Sequence, residues 1–266
     1  MGHIEKDATT RNQMTPKKQI AHIVKWIKSY ATKNKINTLI VGVSGGIDSA
    51  VVSTLCARTG LYVIAVSMPI RQSAHTHDLS VRHGEWLKDQ FELVDHYIID
   101  LTPAFEQFEH ATRVFSDELA YANSRARLRM MTLYQLAQAN SGLVVGTGNR
   151  VEDFGVGFFT KYGDGGVDIS PIGDCMKTEV WAMGRELGVM PEIIDADPTD
   201  GLWADGRTDE QQLGMTYADL ETAMRMDQGE IPCANNANKL LKRYRQIRSR
   251  NLHKMQAIPV CIIPKE

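Results

Sequence analysis

Apolar positions along this chain repeat with two different periods, and the period switches several times. After Thr15-Pro16, a capping residue followed by proline at the first helical position, Ile20, Ile23, Val24, Ile27 and Tyr30 recur at helical spacing and predict a helix with one buried face. Residues 38–43 are instead a continuous β-branched run, the pattern of a buried parallel strand. Small and aliphatic residues at 49–57 then read as a helix. Residues 61–67 and 93–101 predict two further strands, separated by a helical stretch over about 75–90. In that stretch His75-Thr76-His77-Asp78 predicts a helix start with Asp78 in its first turn, because histidines two apart face different ways and make a poor metal pair. Thr102-Pro103 opens a mostly helical region that reaches Asn140 as more than one helix. Residues 142–146 form another short buried strand that ends in a Thr147-Gly148-Asn149 turn. A short helix is predicted at 216–227, and a last one over about 236–252 with Leu240, Leu241, Tyr244 and Ile247 on one face.

Strands alternating with helices imply βαβ units and a parallel sheet flanked by helices, hence an α/β domain over residues 15–266 preceded by a flexible segment, 1–14. Ligands of such sheets lie beyond the carboxyl ends of the strands. Residues 44–49 and 147–152 both follow strands, so both are expected on one edge of the sheet. Two further segments read as functional loops. Six of the 21 glycines fall between Gly155 and Gly173, and residues 195–210 carry neither period while containing Trp203, which suggests a lid.

Composition narrows the class. The 266 residues are 43% hydrophobic and 23% charged, so the chain can bury an ordinary core. A net charge of −2 excludes the global basic field that nucleic-acid binders carry. Cys56, Cys175, Cys233 and Cys261 are widely spaced and read as reduced thiols. With no apolar leader and no membrane-length run, a soluble cytoplasmic protein with neither nucleic-acid nor membrane partners is expected.

The chemistry concentrates at Ser44-Gly45-Gly46-Ile47-Asp48-Ser49. A strand, a glycine turn and a helix start gather free backbone N–H groups around one concavity, which suits a phosphate. No Gly-Lys-Ser/Thr follows, so this is not a Walker loop. Asp48 stands where that lysine would be, and a carboxylate beside phosphate calls for an intervening cation such as Mg2+. The plain alternative is a helix cap from Ser44 or Ser49, with Asp48 against the helix dipole. The whole string resembles the pyrophosphate loop of the ATP pyrophosphatases, and the resemblance favours nucleotide binding.

Further strings narrow the resemblance. Residues 123–130 (Asn-Ser-Arg-Ala-Arg-Leu-Arg-Met), 146–152 (Gly-Thr-Gly-Asn-Arg-Val-Glu) and 158–166 (Phe-Phe-Thr-Lys-Tyr-Gly-Asp-Gly-Gly) resemble NAD synthetases. So do Pro171-Ile172-Gly173-Asp174 with Lys177-Thr178, Pro198-Thr199-Asp200, and His253-Lys254, the likeness running over about 16–260. The resemblance implies an adenine-nucleotide alpha-hydrolase-like, Rossmann-like fold. It also implies ATP- and Mg2+-dependent adenylation of deamido-NAD, with ammonia then displacing AMP to give NAD. It implies ATP contacts from Gly42, Val43, Ser44, Gly45, Gly46, Ile47, Asp48, Ser49, Thr147, Lys177 and Thr199, and a metal held by Asp48 and Glu152. Arg127, Lys161, Asp168, His253 and Lys254 would bind deamido-NAD, while Asp48, Asp164 and Lys177 would be catalytic. By the same resemblance the enzyme is a homodimer, and the chain, too short for an amidotransferase domain, is expected to use free ammonia. Read without the resemblance, Lys177 is a solvated surface lysine, Glu152 a first-turn helix acid, and the basic stretch after Ile231 mostly a solvated helix face. Competing readings are a tRNA-thiolating enzyme, which lacks here its cysteine pairs, an amide-forming relative with no use for 158–166, and a nucleotide sensor, which needs no pair of metal carboxylates.

Overall fold

The computed structural model describes residues 14–72, 74–199, 208–233 and 238–264; all but the last residue of the predicted flexible segment 1–14, and Trp203, lie outside the described residues. Four parallel strands make the sheet: β1 (Thr38–Gly42), β2 (Tyr62–Ser67), β3 (Val94–Ile98) and β4 (Gly142–Val144), in the order β3-β2-β1-β4. Thr38 pairs with both Tyr62 and Gly142, so β1 is central. The strand predicted to 146 is continued past Val144 by a parallel bridge from Val145 to Ile169. That pairing partner lies in the glycine-rich segment, where the sequence signals no strand.

Alternation along the strands builds two cores. In β1, Leu39 and Val41 join one cluster with Ile27 of α1 (Pro16–Lys33) and Leu55 of α2 (Ile47–Ala57). Ile40 points the other way, to Phe105 of α4 (Thr102–Thr112) and Leu133 of α5 (Glu118–Ala139). This is the period of two expected of a strand covered on both faces. The 102–140 region breaks into two helices because the Asp117 side chain caps the second, accepting from the Ala120 N–H at 2.7 Å. The 75–90 stretch is α3 (Ala74–Gln90); Asp78 lies beyond its first turn, contrary to expectation, and pairs instead with Arg82 four residues on.

After β4 the chain forms a seven-residue π-helix, Arg150–Val156, then α6 (Lys177–Leu187), α7 (Pro191–Ile194), α8 (Asp209–Leu213), α9 (Tyr217–Asp227) and α10 (Asn238–Met255). A third, smaller core of Val151, Val156, Leu220, Tyr244 and Ile247 lies beneath the π-helix. The chain leaves β1 toward β2 and β3 but later adds β4 on β1's other side. Such a reversal opens a crevice at the carboxyl ends of β1 and β4.

Candidate active site

Both loops predicted on one sheet edge meet in that crevice. Ser44, Asp48, Ser49, Thr147 and Glu152 line two adjoining cavities of about 480 and 300 Å3. The larger one has an apolar slot of Val43, Met68, Leu133 and Val145; the smaller one holds Gly45, Gly46, Ile47 and Lys177. Gly42 lines the first, and Thr199 and Asp164 line both.

The loop is held by its own hydroxyls. Ser49 Oγ accepts from the Ser44 N–H at 3.1 Å and donates to the Gly46 carbonyl at 2.9 Å, while the Gly46 N–H donates to Ser44 Oγ at 3.2 Å. Ser49 therefore shapes the loop from within. Neither serine caps α2: its N-cap is Gly46, with no side-chain cap, so the helix start faces the cavity through bare backbone. Gly45 sits at φ +89°, and a Cβ there would lie 2.7 Å from the Thr76 carbonyl oxygen, so glycine is required twice over.

Lys177 is no solvated lysine. It is 1% exposed at the first position of α6, and its ammonium donates to Asp48 at 2.5 Å and Glu152 at 2.9 Å. The rings of Tyr217 and Trp181 flank it, with centroids at 4.8 and 5.9 Å. Burial works against the ammonium, but the charges of Asp48 and Glu152 outweigh it and raise its pKa. Burial raises the Asp48 carboxyl, with Lys177 opposing and Glu152 adding to it. Burial also acts to raise Glu152, but the Lys177 charge and the hydrogen bonds from Tyr217 and Lys177 hold it below its usual range. Glu152 is not in an α-helical first turn. It belongs to the π-helix, whose N-cap Asn149 accepts from the Val151 and Glu152 N–H groups at 3.0 and 3.1 Å and donates to Asp48 at 3.2 Å.

Asn149 and Tyr217 are site residues that pattern reading missed. Asn149 stands at a cap position ahead of Glu152-Asp153, a signal present in the string. Tyr217, whose hydroxyl reaches Glu152 Oε1 at 2.5 Å from 65 residues away, left no local signal. Asp153 is a third addition. Burial, then the charges of Asp164, Glu152 and Asp48, push its carboxyl well above the usual range.

The predicted dinucleotide residues divide. Arg127, Lys161 and Lys254 line a third cavity of about 580 Å3 together with Met131, Tyr134 and Tyr162. Lys254 also lines the first cavity, and its ammonium donates to the Phe159 carbonyl at 2.7 Å. Burial lowers its pKa, with Asp164 and Asp153 opposing. Asp168 and His253 line none of these three cavities. The Asp168 carboxylate accepts from the Val144 N–H at 2.7 Å and the Tyr134 hydroxyl at 3.0 Å, a structural use beside the strand end. The basic face of α10 is also only partly solvated: Arg248 donates to the Phe154 carbonyl at 2.6 Å and to that of Gly155.

Among the described residues no three His, Cys, Asp or Glu side chains are grouped to hold a metal ion unaided. Two hard carboxylates beside a phosphate-binding backbone nonetheless suit Mg2+, which keeps its waters and takes one or two protein carboxylates plus substrate phosphates.

Comparison with known proteins places these features in context. The NAD synthase family pattern matches residues 19–258. An NH(3)-dependent NAD(+) synthetase of Carboxydothermus hydrogenoformans is 37% identical over 203 residues, 75% of this chain and 81% of that protein. A solved NMN synthetase from Francisella tularensis is 32% identical with a TM-score of 0.84, covering 94% of this chain and all of that one. The fold is shared with an NH3-dependent NAD synthetase from Campylobacter jejuni, TM-score 0.78 at 22% identity, covering 94% and 100%.

Proposed function

The chain belongs to the NAD synthase family, ligases that amidate deamido-NAD with ammonia at the expense of ATP, and we propose how its own residues divide that reaction. The observation that carries the assignment is the Asp48–Lys177–Glu152 cluster set against the bare backbone of the 44–47 loop. Adenylation makes the substrate carboxylate attack the α-phosphate of ATP, with pyrophosphate leaving. The backbone N–H groups at the uncapped start of α2 hold the leaving phosphates as charge grows on them, and the slot of Val43, Met68, Leu133 and Val145 takes the adenine. Thr147 and Thr199 offer hydroxyls to ATP from the far wall of both cavities.

Asp48 and Glu152 would hold Mg2+, which when bound neutralises phosphate charge. In their charged forms the two carboxylates outnumber the one ammonium of Lys177, so the cluster keeps net negative charge for a cation. Lys177 offers its charge to the transferring adenylyl group and prevents the two carboxylates from repelling each other before substrate arrives. Asp164, whose Oδ1 accepts from the Thr160 N–H at 3.0 Å, faces both cavities as the second catalytic carboxylate beside Asp48. Arg127, Lys161 and Lys254 supply the cations that a substrate with phosphates and a carboxylate requires.

We further propose a homodimer. Met131, Tyr162 and Ile258 are 64%, 60% and 66% exposed around the third cavity, an apolar rim that a second copy would cover. Four cysteines outside any disulfide, two of them exposed, support a reducing cytoplasmic setting. No helix among the described residues is long and apolar enough to cross a membrane.

A second reading keeps the adenylation and shortens the acceptor to nicotinate mononucleotide. The likeness over the whole of an NMN synthetase favours it. The test is release of AMP and pyrophosphate with ATP, Mg2+ and ammonium, using deamido-NAD or nicotinate mononucleotide in turn, repeated with Asp48→Asn. Turnover on deamido-NAD that the variant loses is the expected result. A kcat/KM at least tenfold higher on the mononucleotide would select the second reading.

A further inference from the structure

Behind the nucleotide loop a buried chain of hydrogen bonds runs from the surface of α3 to the last residue before the loop. Glu85 Oε1 lies 2.9 Å from His96 Nδ1, and His96 Nε2 lies 2.9 Å from Ser67 Oγ. Ser80 Oγ lies 2.6 Å from Ser67 Oγ and 2.8 Å from the carbonyl oxygen of Val43. Ser67 and Ser80 are buried, and the His96 side chain is wholly so. The Ser80 turn also backs the loop directly: a Cβ on Gly45 would meet the Ser80 backbone nitrogen at 3.1 Å.

Counting protons decides what this chain can do. A carbonyl only accepts, so Val43 keeps its bond only when the single Ser80 proton points at it. The Ser80–Ser67 contact must then use the Ser67 proton, and the Ser67–His96 contact must use a proton on Nε2. Ionised Glu85 also only accepts, so Nδ1 must carry a proton as well. All four bonds coexist only on an imidazolium. A neutral ring that donates to Glu85 must accept from Ser67. The 2.6 Å serine pair then has only the Ser80 proton, and Val43 has none.

Few charged groups face the ring. From α3 it faces Glu85, with Lys88 further along the helix acting on Glu85, and His83. Burial lowers His83 to about 4, so it adds no competing positive charge. From β2 it meets only the Ser67 hydroxyl, and on β3 the neighbouring Asp95 is committed to Tyr62. The hydrogen bond from His96 in turn holds Glu85 below the usual carboxylate range.

We propose that His96 is a positioning residue for the nucleotide loop: through Ser67 and Ser80 its ring holds the Val43 carbonyl and so sets the loop and the N–H groups at the start of α2 for the polyphosphate. The role rests on the loop being the ATP site, as argued above. A ring that keeps its proton on Nδ1 for Glu85 and has none on Nε2 breaks the chain of donors, and nucleotide affinity falls.

The test is calorimetric titration of the full-length protein with α,β-methylene-ATP and Mg2+ from pH 5.5 to 8.5, alongside imidazole 15N spectra. Wild type should weaken about five- to tenfold across the range, the loss of roughly one hydrogen bond, and His96 should show two N–H protons at the acid end. Glu85→Gln, a change at a half-exposed side chain, should alter the pH profile, because an amide can donate as well as accept and no longer requires the Nδ1 proton. Ser80→Ala should bind weakly at every pH, without the step. The phosphates of the analogue titrate alike for every variant, so the differences report the protein. Superimposable profiles for wild type and Glu85→Gln, or an unchanged step in Ser80→Ala, would overturn the role of His96. Failure of wild type to bind the analogue at any pH would overturn the ATP-site reading and this role with it.

Discussion

At the scale of single residues, the site is governed by one buried ammonium between two carboxylates. Removing one member of such a group leaves uncompensated buried charge. Lys177→Met should cost about 3–5 kcal/mol by urea denaturation and lower kcat at least ~100-fold, the loss expected of a group that stabilises transferring charge. The double variant Lys177→Met with Asp48→Asn should recover much of the stability and none of the activity. Recovery of both would show that the lysine is only structural. Asp153 makes a pH-dependent prediction of opposite character. Its folded carboxyl titrates above the unfolded one, so folding is penalised as pH rises from the unfolded value through the raised folded value. Asp153→Asn should therefore raise Tm at pH 7 and leave it nearly unchanged at pH 3.5. A uniform gain at both pH values would contradict the sign. Of this cluster, Asp48 and Glu152 were legible because each follows a strand within a short string. Tyr217 was not, since it reaches Glu152 only through the packing of α9.

At the scale of elements, the π-helix depends on a helix almost a hundred residues away. Its last carbonyls take hydrogen bonds from α10: Arg248 to Phe154 and Gly155, the Tyr244 hydroxyl to Gly155 at 3.3 Å, and Asn251 to Val156 at 2.9 Å. No local pattern predicts such an element, because its orphan acceptors are satisfied by distant donors. Arg248→Met should cost about 1.5–3 kcal/mol, the range for a charged hydrogen bond. By letting Glu152 shift it should also raise the Mg2+ concentration needed for half-maximal rate. A variant with lowered stability and unchanged Mg2+ dependence would separate the π-helix from the metal pair. The phosphate loop is the contrasting case, its Ser44, Gly46 and Ser49 hydrogen bonds all closing within six positions. Gly45→Ala, forced to a positive φ against the Thr76 carbonyl, should bind α,β-methylene-ATP at least tenfold more weakly in the same calorimetric assay.

At the scale of the whole molecule, an exposed apolar rim and a cationic cavity occupy the same surface. Sedimentation should give twice the chain mass, and Met131→Asp should give a monomer with a raised KM for the acceptor. A wild-type monomer in full activity would refute the dimer. Ammonia attacks as the neutral species, so at fixed total ammonium the amidation rate should climb between pH 7 and 9. A flat profile at subsaturating ammonium would point to a different nitrogen donor.

The sequence by itself determined the alternation of strands and helices, the parallel sheet, the glycine turn after β1 and the edge on which it lies. All of these follow from hydrophobic period and turn chemistry within a few residues of each position. Tertiary structure alone decided that Lys177 is buried between Asp48 and Glu152, that Asp168 is spent on the end of β4, and that His96 reaches Val43 through two serines. Burial and proton sharing depend on what other segments bring to the same few ångströms, and the order of residues along one segment does not contain that information.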